Sequence, residues 1–399
     1  MHNIRKITDE LYYIGCSDRR LALFESAYPV PEGMSYNSYL LKDEKTVLFD
    51  TVDKACAEQF YENLSAALDG RKLDYIVVHH MEPDHAALLQ NVLNKYPEAK
   101  IVCSTHAQKM IKQFFDFDIE TCSVIVKEGD TLNVGFRTLQ FVAAPMVHWP
   151  EVMLTYLKED KILFSADAFG SFGSINGTLS DNNKWEHEHL AEARRYYANI
   201  VGKYGLQVQM LLKKAANLEI NMICPLHGLI IKENIPLFIE KYSKWASYKP
   251  EESGVLIAYS SVYGGTENTV EILASKLADR GITVKMHDLS YTHYSKVLAD
   301  AFKYSHIVLA STTYNAGVFE SMASFIRIMA EHNLQNRKFV IIENGSWAPA
   351  CGGQMRTAVE GIKCSEILNC ALCVKSTLKK EQLADLDNVV NTIEKSLNL

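Results

Sequence analysis

Two α/β domains in tandem are what the sequence predicts, the second a doubly wound parallel sheet. Three observations lead there. In the N-terminal part, apolar runs are short and closely spaced, and several end in histidine or acidic residues. Near residues 245 to 254 the pattern halts, interrupted by Pro250, Glu251, Glu252 and Gly254. Beyond that point strands and helices alternate, as they do in a parallel sheet with helices on both faces. At 399 residues the chain is more than twice a typical domain, which agrees with a division into 1–249 and 250–399.

Taken in order, the runs 11 to 14, 38 to 41 and 46 to 50 predict strands close enough to pair antiparallel. A helix is expected near 55 to 68. Tyr75, Ile76, Val77 and Val78 have no polar face and predict a short buried strand. Pro83 is expected to stop regular structure, because it fixes φ and lacks an N–H. Ala86, Ala87, Leu88, Leu89, Val92 and Leu93 then have helical spacing. Strands follow near Ile101 and Phe141, with further apolar runs at 162 to 166 and 222 to 226. Residues 185 to 217 are helical in period. After the boundary come strands at 255 to 259, 283 to 286, 306 to 310, 339 to 342 and 368 to 374. One helix carries Val270, Leu273, Ala274 and Leu277, and a closing helix carries Leu383, Leu386, Val390, Ile393 and Leu397. There is no internal repeat.

The strand at 75 to 78 breaks into His79, His80, Met81, Glu82, Pro83, Asp84 and His85. An extended loop would send His80, Glu82 and Asp84 the same way. Two imidazoles and two carboxylates within six residues point to a metal, since such groups are seldom buried unless paired or coordinating. A polar loop at a strand end is the plainer reading. However, His148, Asp167 and His227 each close another buried-looking run, and one convergent site accounts for all three.

A second site opens the C-terminal domain. Its first strand ends in Ser260, Ser261, Val262, Tyr263, Gly264, Gly265 and Thr266, and then a helix begins. Hydroxyls, glycines and a helix N-terminus suit a dianionic phosphate; a hydroxyl-rich turn capping a helix is the plainer alternative. Thr312, Thr313, Tyr314, Asn315 and Gly317 follow the third strand, and Asn344, Gly345, Ser346 and Trp347 follow the fourth. Ligands bind such sheets at the carboxyl ends of the strands.

Composition excludes several classes. A formal net charge of −7 and no basic run disfavour nucleic acid as a partner. No apolar signal core opens the chain and nothing is long enough to span a bilayer, so no membrane role is expected. Nine scattered cysteines do not form a disulfide framework and fit a reducing cytoplasm. Cys370 and Cys373 form a lone C-x-x-C, with Cys364 nearby, so a rubredoxin-type iron centre is absent. Core cysteines are expected there.

The motif His-x-Glu-x-Asp-His at 80 to 85, with His148, Asp167 and His227, resembles the metallo-β-lactamase fold in its flavodiiron variant. Zinc hydrolases of that fold carry His where this chain has Glu82. The 260 to 266 loop resembles the flavodoxin phosphate loop rather than a dinucleotide fingerprint, which implies FMN. The resemblance therefore implies an αββα metallo-β-lactamase-like sandwich followed by a flavodoxin-like domain. It also implies one iron on His80, Glu82 and His148, another on Asp84, His85 and His227, and Asp167 bridging. The counterpart of His85 does not ligate in every member. Three carboxylates, two divalent ions and a bridging hydroxide would sum to neutrality, and a mixed N/O set without thiolate suits non-haem iron. One of Tyr196 and Tyr197 is a candidate to sit over the metals, or else a helix tyrosine half in the core. In flavodoxin-like domains the loops after the third and fourth strands hold the flavin ring, and Trp347 is placed to stack on it. In the resemblance Pro349 stands where the family is often richer in glycine.

The implied function is reduction of O2 to water, of NO to N2O, or both, fed by a separate donor: a rubredoxin, a deazaflavin or an NADH-linked reductase. The implied assembly is a head-to-tail homodimer or a tetramer. Two other classes compete, a zinc hydrolase with a regulatory flavodoxin-like domain and an electron carrier with an inert metal domain.

Overall fold

The computed structural model describes residues 1–181 and 189–398. Its contacts divide into two compact units, Met1–Tyr197 with Leu206–Glu240, and Ala198–Gly205 with Lys241–Leu399.

In the first unit a seven-stranded sheet runs in the order Arg5–Lys6, Leu11–Tyr13, Tyr39–Lys42, Thr46–Phe49, Tyr75–Val77, Lys100–Cys103, Ser123–Ile125. The strands expected at 11 to 14, 38 to 41 and 46 to 50 are antiparallel neighbours. The ligand-bearing strand lies parallel between Thr46–Phe49 and Lys100–Cys103. A second sheet holds Thr131–Asn133, Thr138–Ala143, Met153–Leu157, Ile162–Phe164 and Met222–Cys224. Period-two alternation turns Leu41, Val47, Phe49 and Val77 of the first sheet onto Leu139, Phe141, Leu157 and Phe164 of the second. Phe49 and Phe164 stack with centroids 4.0 Å apart. The out-of-phase residues Leu40, Leu48 and Ile76 are buried too, on the face where helix Ala57–Leu68 brings Phe60 and Leu64. Each such side chain contributes about 1.5–3 kcal/mol on burial. This is the sandwich the resemblance implies.

The second unit is a parallel sheet ordered Val284–Asp288, Glu252–Ser260, Tyr304–Tyr314, Lys338–Asn344, Glu366–Val374. That is the doubly wound, flavodoxin-like order. Val255, Ile257, Val308 and Ile342 pack under helices Gly265–Ala278 and Leu383–Leu397. Leu256, Ile307 and Leu309 are buried on the opposite face, against Tyr294–Lys303 and Glu320–Glu331.

Three expectations change. Pro83 does not end regular structure but opens the helical turn Pro83–Ala86, where a missing N–H costs nothing. The stretch 185 to 217 is not one helix: His189–Tyr196 is α-helical, Tyr197–Val201 is π-helical, Gly202–Tyr204 is 3-10 and Gly205–Ala215 is α-helical again. Its positions 185 to 188 lie outside the described residues. Finally, of the three neighbouring cysteines only Cys370 is buried, while Cys364 and Cys373 are exposed. Residues three apart on a strand face opposite sides, and Glu366–Val374 alternates at the sheet edge.

Candidate metal centre

The ligand loop is fixed from beneath before any metal is considered. After Tyr75–Val77 the chain leaves the sheet, and the His79 N–H donates to Asp50 Oδ1 at 2.8 Å. The His79 ring lies between Asp50 Oδ2, 2.5 Å from Nδ1, and Thr155 Oγ1, 2.8 Å from Nε2. It thereby ties the end of one sheet to a strand of the other. Thr51 donates both its N–H and its hydroxyl to the His85 carbonyl, at 2.8 and 2.6 Å.

All seven sequence-predicted residues converge, in two groups. His80 Nε2 is 3.1 Å from Glu82 Oε2 and 3.4 Å from Asp167 Oδ2. His148 Nε2 is 3.1 Å from Asp167 Oδ2 and 3.2 Å from Glu82 Oε2. In the other group His85 Nε2 is 3.3 Å from Asp84 Oδ2, 3.2 Å from Asp167 Oδ1 and 3.1 Å from His227 Nε2. His227 Nε2 is 3.2 Å from Asp84 Oδ2. Asp167 thus turns one oxygen to each group. Asp84 does not share a face with His80 and Glu82, because the loop is helical rather than extended at that point.

These spacings test the fit of a metal. Donors bonded about 2.1 Å from one ion stand roughly 3.0–3.4 Å apart in octahedral or tetrahedral geometry. Both Asp84 oxygens and Asp167 Oδ1 are buried without a hydrogen-bond partner among the described residues, a costly state unless a cation satisfies them. The electrostatics agree. Burial disfavours the His85 imidazolium, yet Asp84 and Asp167 outweigh it and raise its pKa to about 9. For His148 the same burial is outweighed by Asp167 and Glu82, again giving about 9. Burial would raise Glu82 and Asp167, but the surrounding histidines pull both below the usual carboxylate range. Without metal, the cavity retains protons as its cations. The residues fit two metal ions sharing Asp167.

Several functional neighbours escaped sequence reasoning. Glu151 Oε1 accepts from His80 Nδ1 at 2.8 Å and from the Met81 N–H at 2.9 Å; a lone acid inside an apolar run, three residues after His148, was its signal. Ser35 offers its carbonyl to His227 Nδ1 at 2.7 Å. Trp149 stands edge-on to His80, 5.2 Å between centroids. Phe24 and Tyr36 flank His227 at 5.4 and 5.8 Å. Tyr196 lies 5.5 Å from the same ring, fully buried, its hydroxyl without a partner among the described residues.

In the second unit the predicted loops gather at the carboxyl ends of the strands. Ser261 Oγ accepts the N–H groups of Gly264 and Glu267 at 3.2 and 3.3 Å, closing the loop onto the N-terminus of Gly265–Ala278. Gly264 has φ +84°, which suits glycine. A Cβ on Gly265 would collide with the Ser376 carbonyl, so the cradle admits no side chain there. Asn344 is buried and staples the loops, donating to Thr266 Oγ1 at 3.2 Å and to the Ser376 carbonyl at 3.1 Å. Ser260 Oγ pairs with Ser321 Oγ at 2.8 Å, and the Gly345 N–H donates to Val374 at 3.1 Å. Thr312 and Thr313 lie near the end of the third strand, Tyr304–Tyr314, and the Thr313 hydroxyl accepts the N–H groups of Ala350 and Cys351 at the start of helix Cys351–Glu360. Asn315 and Ala316 turn with positive φ toward Gly317. Ser346 Oγ is 3.0 Å from Ser376 Oγ. Tyr263, Trp347, Tyr314 and Val262 are exposed, at 98%, 92%, 54% and 40%. A glycine-lined helix N-terminus ringed by solvent-facing aromatics fits a flat mononucleotide.

One chain thus joins a sandwich with two metal-ligand groups to a mononucleotide-type sheet, the architecture of a metalloprotein coupled to a flavin-type domain. Comparison with known proteins agrees. Residues 34–228 match the model of the "ODP family beta lactamase". The rubredoxin-oxygen oxidoreductase of Megalodesulfovibrio gigas is 31% identical over 336 residues, 83% of each chain. The anaerobic nitric oxide reductase flavorubredoxin of Vibrio vulnificus is 31% identical over 350 residues, 86% of this chain and 70% of that one. The crystal structure of the flavodiiron protein from Giardia intestinalis superposes with a TM-score of 0.92 at 25% identity, covering 99% of this chain and 97% of that one. The chain belongs to the flavodiiron protein family, and it is an enzyme of the oxidoreductase class. No helix among the described residues is long and apolar enough to cross a membrane.

Proposed function

We propose that this flavodiiron oxidoreductase reduces O2 to water, NO to N2O, or both, with residues 1–249 as the iron domain and 250–399 as the FMN domain. The observation that carries the reading is Asp167, whose two buried oxygens each face a separate group of ligand-type residues in a chain that also has a phosphate-type loop. His80, Glu82 and His148 would hold one iron, Asp84, His85 and His227 the other, and Asp167 would bridge them. A mixed N/O set without thiolate suits iron. When bound, FMN would supply electrons and the iron pair the redox chemistry that reduces the diatomic gas.

The chain's own residues set the conditions for that chemistry. The protons that His85 and His148 hold without metal leave as metal enters, and the carboxylates of Glu82, Asp84 and Asp167 then balance most of the charge of two dications. Phe24, Tyr36, Tyr196 and Trp149 crowd the imidazoles and keep bulk water from them. The Ser261 to Thr266 loop would seat the FMN phosphate, and exposed Trp347 and Tyr314 would flank the ring.

Electron transfer falls steeply with distance, and the two sites belong to different units. We infer a head-to-tail homodimer, or a tetramer of such dimers, in which each flavin faces the partner's irons. The solvent-facing aromatics Tyr263 and Trp347 favour a covered flavin face. A separate electron donor is required, a rubredoxin, a deazaflavin or an NADH-linked reductase. Mixing two inactive chains tests the arrangement, one carrying His148→Asn and the other Thr266→Asp. Mixed dimers should regain gas reduction, and confirmed mixed dimers that stay inactive would overturn it.

A further inference from the structure

We propose that Glu151 makes the two metal positions unequal, acting as a positioning residue that fixes His80 and adds negative charge behind that iron alone. The proposal rests on the dinuclear reading above. An imidazole that gives Nε2 to a metal keeps its proton on Nδ1, so the Nδ1 partner sets the ring's orientation and its basicity. His80 Nδ1 donates to Glu151 Oε1 at 2.8 Å, and the same oxygen accepts the Met81 N–H at 2.9 Å. Both side chains are 0% exposed. Glu151 Oε2 has no hydrogen-bond partner, and no lysine or arginine pairs with this carboxylate among the described residues. Among the described residues, its only hydrogen-bond partners are therefore the His80 ring and the Met81 N–H, and no cation but the metal-bound imidazole faces it.

The other position lacks this support. His227 Nδ1 donates to a neutral acceptor, the Ser35 carbonyl, at 2.7 Å. His85 Nδ1 is buried with no partner among the described residues. Each group adds one carboxylate of its own, Glu82 or Asp84, and Asp167 is shared; of the two, Glu82 alone is also hydrogen-bonded by the Glu25 carboxyl. One additional negative charge thus stands behind the His80 position. Added charge and a fixed imidazole favour the ferric ion and hold metal more tightly. The His85 position is the looser one, preferring the ferrous ion and losing metal first.

A cavity of about 230 Å³ lies beside Glu151, walled by Val126, Phe141, Pro145, Val152 and Met153. It extends to the exposed His106. A small carboxylate such as formate has room to replace a deleted side chain, which makes the proposal testable by rescue.

The experiment uses full-length, iron-loaded protein as wild type, Glu151→Gln and Glu151→Ala. Metal retention under a chelator is measured, together with the two one-electron steps followed by Mössbauer spectroscopy. FMN retention serves as the control for folding. Gln preserves an acceptor but removes the charge, so one iron should gain at least tenfold in ferrous preference, 59 mV for a one-electron couple, while the other stays put. In Glu151→Ala the iron at the His80 position should bind about 10–100-fold more weakly, and formate should restore it. Unmoved steps, both irons shifting or leaving together, no effect of formate, or loss of the fold in both variants would each overturn the inference. A wild type without two irons would overturn the dinuclear reading itself, and the inference with it.

Discussion

Replacing Asp50 by Ala should destabilise the first unit through His79, a residue that binds no metal. Asp50 Oδ1 accepts the His79 N–H and Oδ2 lies 2.5 Å from His79 Nδ1, with the two side chains 0% and 1% exposed. Truncation leaves two buried donors unpaired, at about 1–3 kcal/mol each. Asp50 also stands at φ +53°, a region that Asp and Asn tolerate better than Ala, adding about 1 kcal/mol. The total is about 3–7 kcal/mol, or roughly a 6–28 °C fall in Tm for a domain of this size. Asp50→Asn is the control. Its amide can donate to His79 Nδ1 while Nε2–H donates to Thr155, so a change of tautomer retains the bonds and the loss stays near 1 kcal/mol. Calorimetry on metal-stripped protein should show the first unit's transition moved in the Ala variant and the other transition unmoved. A shift below about 2 °C, or equal shifts in the two variants, would refute the role given to His79.

Three further outcomes follow from the site. In metal-free protein His85 and His148 are raised to about 9. Their protonated forms therefore stabilise that state below pH ~6.5, and the contribution is lost as pH rises through about 9. Since metal must displace those protons, iron affinity measured by competition should climb with pH up to about 9, and a flat profile would contradict the assignment. Glu82→His should move occupancy toward zinc, because it removes a charge and restores a hydrolase-type set; metal analysis showing unchanged iron would count against this. Thr266→Asp should abolish flavin retention while metal content stays unchanged, and normal retention would place the phosphate elsewhere.

Much of this was legible because chemistry interrupts pattern. His80, Asp167 and His227 each end an apolar run; Asp167 and His227 follow neighbouring strands of one sheet, and His80 follows a strand of the sheet packed against it. Ser261, Gly264 and Gly265 could be placed between a strand and a helix because hydroxyls and glycines there suit a helix N-terminus, and the structure puts them at that junction. What failed was local. Pro83 as a terminator and an extended 80 to 84 ignored that Pro loses nothing at the first turn of a helix. Cys373 was assigned to the core because an edge strand was read as buried on both faces. Glu151 and Asp50 were invisible for another reason. Their partners are 71 and 29 residues away in sequence, and only the fold brings them within hydrogen-bond reach.

The central claim is that one chain unites an iron pair bridged by Asp167 with an FMN loop to reduce a diatomic gas. Iron, zinc and flavin counts on a single purified sample, followed by O2 and NO electrode traces after anaerobic reduction, test it most directly. The prediction is about two irons per chain, bound FMN, and consumption of at least one gas that Asp167→Ala abolishes. Protein that carries only zinc and leaves both gases untouched under full reduction would contradict it.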